Sequence, residues 1–226
     1  MPDALMLFAA GFGTRMGALT ADRPKPLVEV AGRPLIDHAL AIADGFGPLR
    51  RVANAHYRAD QLAAHLAGRR VELSHEMPEI LDTGGGLRAA LPLLGTEPVF
   101  TLNTDAVWTG PNPLQQLTRV WDPDRMDALL LCAAPGSVVG RKGGGDFTLG
   151  PDKRLIRGGP LVYTGAQILK TDGLDGIEAP AFSLNLLWND MAARGRLFGV
   201  MFDGRWCDVG HPDGIVAAEQ MLAADV

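Results

Sequence analysis

Short apolar runs alternate with amphipathic segments along the first half of the chain. The runs indicate buried strands, whereas apolar residues spaced three or four apart indicate helices. Strands are predicted over Leu5–Ala9, Val52–Ala55, Val71–Ser74 and Val99–Asn103, and helices over Pro34–Asp44, Ala59–Leu66, Leu87–Leu94 and Leu114–Trp121. Strands and helices that alternate in this way form βαβ units. We therefore predict an α/β fold with a doubly wound, mostly parallel sheet.

The second half of the chain is less regular. Its pattern predicts strands over Ala128–Ala133, Leu161–Leu169, Leu197–Phe202 and Trp206–Val209, and helices over Leu184–Arg194 and Pro212–Ala224. The glycine-rich stretch 136–159 predicts loops and a small antiparallel ribbon around Phe147–Leu149 and Leu155–Ile156. Because no repeat or linker interrupts the pattern, we predict one domain over residues 1–226, with a small inserted β region at about 135–160.

The composition is that of a globular protein and argues against several classes of partner. Of the 226 residues, 47% are apolar and 21% are charged, and the formal net charge is -5. A negative chain is a poor general binder of nucleic acid. The longest apolar runs are shorter than the roughly 18 residues of a membrane span. The N-terminus has no basic stretch before its apolar run, so no signal peptide is predicted. We therefore predict a cytoplasmic protein with no membrane or nucleic-acid partner.

The loop after the first predicted strand is the first candidate for chemistry. It reads Ala9-Ala10-Gly11-Phe12-Gly13-Thr14-Arg15-Met16-Gly17. Glycines allow a backbone to approach phosphates closely, and successive N–H groups form an anion-binding concavity, although an ordinary βα turn also contains glycines. The glycine spacing differs from both the dinucleotide fingerprint and the Walker loop, and Asn54 and His56 stand where a dinucleotide fold expects an acidic residue. A nicotinamide dehydrogenase is therefore disfavoured.

A lysine between two prolines is the second candidate. In Arg23-Pro24-Lys25-Pro26-Leu27 the prolines restrict the backbone on both sides of Lys25. Only four of the 21 basic residues are lysines, so each lysine is a mild candidate for a role that needs a compact ammonium group. Together with Arg15, Lys25 would place two cations near the same phosphates. The alternative is a proline-rich surface turn.

Two aspartates at predicted strand ends are candidates for a metal site. Asp105 follows Leu102-Asn103-Thr104, and Asp208 lies in Trp206-Cys207-Asp208-Val209-Gly210. Ligands of open α/β sheets bind beyond the carboxyl ends of strands, and Mg²⁺ prefers carboxylate and phosphate oxygens. Asp105 alone would also fit an ordinary turn or a helix cap. A weaker signal is Leu81-Asp82-Thr83-Gly84-Gly85-Gly86, where glycines would let a flat ligand lie against the backbone.

Together these stretches resemble the sugar-1-phosphate nucleotidylyltransferase family. The family signature L-A-A-G-x-G-T-R-[ML] followed by P-K-P-[LM] appears at residues 8–16, with Phe8 in the first position, and at residues 24–27, and the resemblance continues to Gly210. It implies a Rossmann-like fold of the nucleotide-diphospho-sugar transferase type. It also implies transfer of a nucleoside monophosphate from an NTP to a sugar 1-phosphate, with release of pyrophosphate.

The resemblance also implies roles for individual residues. Ala10, Gly11, Gly13 and Thr14 would hold the nucleotide, and Gly85 would lie near its base. Arg15 and Lys25 would be catalytic cations that neutralise phosphate charge. Asn103 would lie near the sugar, and Asp105 and Asp208 would hold Mg²⁺. The partners would then be an NTP and a sugar 1-phosphate, with the protein a monomer or a small homo-oligomer.

Within the family, the chain is most similar to short uridylyltransferases that act on N-acetylmuramate 1-phosphate in cell-wall recycling. The similarity lies in residues 54–56, 81–86, 107–109 and 144–147. It implies UTP as the nucleotide, with Asp146, Thr164 and Gly165 facing the sugar. Thr104 departs from the family pattern, since a glycine usually stands there, and the resemblance implies that its branched side chain lies near the substrate phosphate. Ala18 likewise replaces a frequent proline.

Other functions remain open at this point. The same fold would serve GTP with mannose 1-phosphate, dTTP or UTP with glucose 1-phosphate, or CTP with phosphocholine. A nucleotide-sugar sensor without catalytic activity is a further alternative. Relatives of that kind lack one of the charged residues that this chain retains at Arg15, Lys25, Asp105 and Asp208.

Overall fold

Strands and helices alternate along the computed structural model, which describes residues 1–95 and 98–225. The strands are β1 (Ala4–Phe8), β2 (Glu29–Val30), β3 (Arg33–Pro34), β4 (Arg50–Ala55), β5 (Glu72–His75), β6 (Val99–Asn103), β7 (Ala106–Thr109), β8 (Ala128–Ala133), β9 (Val138–Val139), β10 (Phe147–Leu149), β11 (Leu155–Arg157), β12 (Val162–Leu169), β13 (Leu197–Met201) and β14 (Arg205–Asp208). The helices are α1 (Leu35–Phe46), α2 (Ala59–Leu66), α3 (Asp82–Leu94), α4 (Pro113–Val120), α5 (Asn185–Ala193) and α6 (Pro212–Ala223).

The central sheet has seven strands in the order β13-β8-β12-β6-β1-β4-β5. Its neighbouring strands are parallel except for β12, which runs antiparallel to both β6 and β8. The α/β fold with a mostly parallel sheet is therefore confirmed. The predicted ribbon is also present, because β10 and β11 pair antiparallel.

The strands of the central sheet bury apolar side chains on both faces. In β1, Leu5 and Leu7 pack on one face with side chains of α1 and α4, whereas Ala4 and Met6 pack on the other with side chains of α3 and α5. Successive side chains of a strand point to opposite faces, so a strand between two helical layers must be apolar throughout. This packing explains the short continuous apolar run in the sequence.

A second, smaller sheet positions the two aspartates. Its order is β7-β14-β9, and β7 pairs antiparallel with β14 so that Ala106 lies opposite Asp208. The Val209 N–H donates to the Asp105 carbonyl at 2.9 Å. Asp105 and Asp208 are thus brought to neighbouring strand ends. Strand β7 was not predicted, because its four residues follow Asp105 directly and carry no apolar alternation of their own.

Helix α3 begins earlier than predicted. The sequence places its start at Leu87, but the helix begins at Asp82 and contains Gly84, Gly85 and Gly86. Glycine is a poor helix former, which is why the pattern excluded these residues. Close packing overrides that preference, since a Cβ at Gly84 would overlap the ring of Phe182.

Neither a membrane span nor a disulfide is found in the described residues. No helix there is both long and apolar enough to cross a bilayer. Cys132 and Cys207 are buried free thiols, and burial raises the pKa of each to about 12. Both thiols are therefore uncharged at neutral pH.

A buried aspartate just before β8 forms hydrogen bonds with three basic side chains from later in the chain. Asp127 accepts hydrogen bonds from Arg194 at 2.7 Å, Arg196 at 2.8 Å and Lys170 at 3.2 Å. Burial by itself would raise the pKa of the Asp127 carboxyl, but these three cationic donors outweigh it and lower the pKa below its usual value. The ionised form therefore stabilises the folded state.

We expect Asp127→Asn to lower the free energy of unfolding by about 2 kcal/mol near pH 7. The folded-state pKa is depressed, so this stabilisation is complete above the unfolded-state pKa of about 3.9 and is lost as the pH falls through the folded-state value. Urea unfolding at neutral pH and at about pH 3 should therefore show the two proteins converging in acid. Asp190→Asn, at an exposed pair with Arg194, is the control and should cost about 0.5 kcal/mol or less. Equal losses of unfolding free energy in the two variants would show that the Asp127 ion pairs stabilise the fold no more than an exposed pair does.

Candidate active site

A cleft lies beyond the carboxyl ends of β1, β4 and β6, where ligands bind in open parallel sheets. It has two adjoining lobes, whose walls share Phe8, Asp82, Thr83, Asn103 and Asp105. Lobe A is further lined by Ala9, Ala10, Gly11, Lys25, Pro26, Asn54, Glu76, Ile80 and Thr104. Lobe B is further lined by Arg15, Arg141, Asp146, Phe147, Arg157, Tyr163, Ser183, Leu184, Asn185, Trp188, Trp206 and Asp208.

The loop after β1 borders the cleft and is packed against Lys25. Gly13 has a φ of 65°, and a Cβ there would lie 2.9 Å from the Lys25 Cβ, so the close approach requires glycine. Gly11 is exposed, with open space where its Cβ would be, and its backbone is accessible from lobe A. Thr14 is exposed and lines neither lobe, whereas the next residue, Arg15, lines lobe B.

Lys25 points into the cleft and forms an ion pair there. Its Nζ lies 2.7 Å from Oδ2 of Asp105, and its side chain is only 11% exposed. Pro24 and Pro26 flank it in a short 3₁₀ turn over Lys25–Leu27. The alternative of a surface turn is thereby excluded, and Lys25 lies in lobe A beside a carboxylate at the junction of the two lobes.

The two aspartates differ in their electrostatic surroundings. Burial alone would raise the pKa of the Asp105 carboxyl, but the Lys25 ammonium and the Arg15 guanidinium outweigh it and lower the pKa. Burial and the negative charge of Asp105 raise the pKa of Asp208, and Lys25 and Arg15 offset them only in part. The site therefore holds two carboxylates that repel each other, one of them without an ion-pair partner in the described residues.

This donor set fits Mg²⁺ together with substrate. A cation between Asp105 and Asp208 would relieve the repulsion that raises the Asp208 pKa. The described residues contain no group of three or more His, Cys, Asp or Glu side chains that could hold a metal. The remaining ligands would be phosphate oxygens and water, which is the usual way in which proteins bind Mg²⁺. The magnesium site remains a prediction.

Asn103 is held at the end of β6 by the neighbouring strand. It lines both lobes. Gly165 of β12 has a φ of 86°, and a Cβ there would lie 2.7 Å from the Asn103 Cβ. Gly165 lines neither lobe, so in this structure it supports Asn103 instead of facing the cleft.

Thr164 does not reach the cleft with its side chain, contrary to expectation. It is fully buried, and its hydroxyl donates to the Leu131 carbonyl at 2.7 Å within the sheet. Asp146, by contrast, lines lobe B, and its place facing the sugar stays a prediction. Its two carboxylate oxygens accept from Arg141 Nη2 at 2.7 Å and from the Tyr163 N–H at 2.9 Å.

Gly85 does not lie where the sequence predicted it, whereas Thr104 lines lobe A and is also tied to β1. Gly85 is buried in α3 against Pro180 and Ala181 and lines neither lobe; the cleft wall there consists of Asp82 and Thr83. The hydroxyl of Thr104 is directed to the Phe8 carbonyl, to which it donates at 2.7 Å. Its hydroxyl thus ties β6 to β1, while Asn103 and Asp105 beside it line both lobes of the cleft.

A buried pair beneath lobe A was not identified from the sequence as part of the site. Asn54 accepts from the Ala9 N–H at 2.7 Å and donates to Glu76 Oε1 at 2.6 Å. The other oxygen of Glu76 accepts from the Leu81 N–H at 2.7 Å, and Glu76 is 1% exposed. The pair links Ala9, at the start of the loop after β1, to Leu81, the residue before α3. The sequence indicated Asn54 as part of residues 54–56 but gave no sign that Glu76, just after β5, is its partner.

Gly86→Ala tests this pair. The added methyl group would overlap Glu76 Oε1 and lie 2.9 Å from Asn54 Nδ2, so the Asn54 contact with Ala9 should be displaced. We expect a loss of about 1–3 kcal/mol in the free energy of unfolding and faster proteolysis of the loop after β1, measured by urea unfolding and limited proteolysis. Gly176→Ala is the control, because its Cβ would meet nothing closer than 3.8 Å. An unchanged rate of loop cleavage in Gly86→Ala would show that the pair does not position the loop.

Comparison with known proteins agrees with this geometry. Residues 5–174 match the family described as MobA-like NTP transferase domain. The chain is 42% identical to the N-acetylmuramate alpha-1-phosphate uridylyltransferase of Caulobacter vibrioides, with 98% of each chain covered. It is 33% identical to the enzyme of the same name from Neisseria meningitidis serogroup B, with 97% of this chain and 98% of the relative covered.

The fold is also found among solved structures. HddC from Yersinia pseudotuberculosis, in complex with GMP-PN, superposes with a TM-score of 0.77 at 19% identity, covering 97% of this chain and 99% of that one. At that identity the likeness shows the fold alone. The family match and the two full-length relatives show more: the chain belongs to the MobA-like NTP transferase family.

Proposed function

We propose that the protein transfers a uridylyl group from UTP to N-acetylmuramate 1-phosphate, giving UDP-N-acetylmuramate and pyrophosphate. The observation that carries the proposal is the similarity to two uridylyltransferases for this sugar phosphate over nearly the whole of each chain. The cleft adds a physical reason. Its two lobes share Asp105, the ion-pair partner of Lys25, so a nucleotide in one lobe would meet a sugar phosphate in the other beside this ion pair.

The reaction needs positioning and charge neutralisation more than proton transfer. A phosphate oxygen of the acceptor forms a bond to the α-phosphorus of UTP, and the bond from that phosphorus to the bridging oxygen of pyrophosphate breaks. The attacking oxygen is already anionic, so no general base is required. Pyrophosphate leaves as an anion. Catalysis therefore depends on cations and N–H groups that stabilise charge on the transferring phosphoryl group.

Arg15 and Lys25 supply these cations. Lys25 is held between two prolines and against Asp105, so its ammonium is in place before substrate arrives. Arg15 is exposed at the border of lobe B and makes no hydrogen bond within the described residues. It is thus available to phosphate oxygens. The exposed backbone of the loop at Gly11 offers N–H groups to the same phosphates.

Asp105 and Asp208 would hold Mg²⁺. When bound, the cation would neutralise charge on the phosphates of both substrates. Asn103 and Asp146 face the region of lobe B in which the sugar would lie. Because both oxygens of Asp146 already accept hydrogen bonds from Arg141 and Tyr163, the carboxylate is fixed in orientation toward sugar hydroxyls.

A panel of four NTPs and several acceptors tests the proposal. Pyrophosphate release is measured with N-acetylmuramate 1-phosphate, mannose 1-phosphate, glucose 1-phosphate and phosphocholine, each with UTP, GTP, dTTP and CTP. We expect release with UTP and N-acetylmuramate 1-phosphate only when Mg²⁺ is present. A higher rate with any other pair would replace the proposed substrates. Binding of nucleotide sugars without turnover of any NTP would favour a sensor.

A further inference from the structure

Residues 141–157 contribute two guanidinium groups, those of Arg141 and Arg157, but only one carboxylate, that of Asp146, to the lining of lobe B. Asp146 pairs with Arg141 at 2.7 Å, and its second oxygen accepts from the Tyr163 N–H. Arg157 lines the same lobe, yet it forms no ion pair with any carboxylate in residues 1–95 and 98–225. One of the two guanidinium groups on this wall is therefore left without an acidic partner.

The guanidinium of Arg157 is nevertheless held in a defined position. Its Nε and Nη2 donate to Oδ1 of Asn189 at 3.1 and 3.0 Å. It also lies over the rings of Phe147 and Trp188, at 4.9 and 5.5 Å from their centroids. Arg157 is exposed, and its Nη1 has no hydrogen-bond partner among the described residues. The free edge of an oriented guanidinium is suited to an anion, especially a carboxylate.

The phosphates of the reaction have cations elsewhere. Lys25 lies in lobe A, and Arg15, in the loop after β1, lines lobe B from the side of the sheet, whereas Arg157 lines lobe B from the ribbon of β10 and β11 beside α5. A neutral sugar would give Arg157 no charge to neutralise. The proposed acceptor does, because N-acetylmuramate carries a lactyl carboxylate in addition to its 1-phosphate.

We propose that Arg157 binds the carboxylate of an acidic sugar 1-phosphate and thereby selects it over neutral sugar phosphates. The inference rests on the proposed function and adds to it the residue that recognises the acceptor. A purely structural role, in which Arg157 only ties the ribbon to α5 through Asn189, is the competing explanation.

N-acetylglucosamine 1-phosphate differs from N-acetylmuramate 1-phosphate only by the missing lactyl group, so the two acceptors isolate the carboxylate. With UTP, we expect Arg157→Gln to lower kcat/KM for N-acetylmuramate 1-phosphate by about 10- to 100-fold, mainly through KM. The value for N-acetylglucosamine 1-phosphate should stay within about twofold. Arg157→Lys should restore part of the preference. Equal losses for the two acceptors, or no loss for either, would overturn the proposal.

Arg154→Gln is the matched control. Arg154 precedes the same strand and also ties the ribbon to the chain near α5, through the Gly195 carbonyl at 2.8 Å, but it does not line lobe B. Arg154→Gln should change kcat/KM for both acceptors by the same factor. Arg154→Gln could lower the ratio of kcat/KM for N-acetylmuramate 1-phosphate to kcat/KM for N-acetylglucosamine 1-phosphate as much as Arg157→Gln does. The loss would then come from a disturbed ribbon, and the proposal would fail.

Binding of the two nucleotide sugars separates this inference from the proposed function. Calorimetry measures the affinity of UDP-N-acetylmuramate and of UDP-N-acetylglucosamine for the wild type and Arg157→Gln. If the wild type does not turn over UTP but prefers UDP-N-acetylmuramate in a manner that requires Arg157, the proposed function fails and the inference stands. If turnover occurs and neither affinity depends on Arg157, the inference fails and the function stands.

Discussion

The Lys25→Gln variant is expected to lose about 10²- to 10³-fold in kcat for formation of the nucleotide sugar. Lys25 is only 11% exposed and lies 2.7 Å from Asp105, so its ammonium is fixed where the phosphates would meet. Glutamine keeps most of the stem that packs under Gly13 but removes the charge. The loss should appear in kcat more than in KM, because the cation acts on charge that develops as the phosphoryl group is transferred.

Lys142→Gln is the control for this variant. Lys142 is another of the four lysines, but its side chain is 61% exposed and pairs with Asp213, which is itself exposed. Its kcat should change by no more than about twofold. Thermal unfolding of both variants shows how much of each preparation is folded. A folded Lys25→Gln protein with more than about a tenth of wild-type kcat would exclude a catalytic role for this lysine.

Replacing both aspartates should have a still larger effect. We expect Asp105→Asn with Asp208→Asn to lower kcat by about 10³-fold or more, since bound metal contributes several kcal/mol to the transition state. The single variant Asp208→Asn should also need more Mg²⁺ for half-maximal activity. It removes the carboxylate whose pKa is raised by burial and by Asp105, and that carboxylate gains most from a bound cation.

A magnesium titration of each variant provides the measurement. Asp213→Asn, at a side chain that is 83% exposed, should retain the wild-type magnesium dependence. Full activity of the double variant, or a magnesium requirement unchanged in Asp208→Asn, would contradict a metal site made of these two carboxylates.

The fold was predictable where one local rule decided the outcome. Strand β1 is buried on both faces, so its sequence is apolar throughout and signals a strand without help from the rest of the chain. The start of α3 was not predictable in this way. Its glycines are poor helix formers, and the reason for them lies in Phe182 and Pro180, which are about a hundred residues away in sequence.

The candidate site likewise contains residues that the sequence indicated and residues that it did not. Lys25, Asp105 and Asp208 carry charges at loop and strand ends, where the sheet architecture brings ligands, so the sequence indicated them. Thr164 was expected at the sugar, but its hydroxyl donates to the Leu131 carbonyl of the neighbouring strand β8, a contact that only the folded sheet shows. Glu76 was missed, since only the folded chain shows that it joins Asn54 beneath the loop.

The most direct test of the central claim follows the phosphate atoms through one turnover. The protein is incubated with Mg²⁺, UTP labelled at its α-phosphorus and N-acetylmuramate 1-phosphate labelled with ¹⁸O in its phosphate. We predict that UDP-N-acetylmuramate carries both labels and that pyrophosphate carries neither, because the acceptor oxygen attacks the α-phosphorus. Label in pyrophosphate, or UMP as the sole labelled product, would contradict nucleotidyl transfer at this cleft.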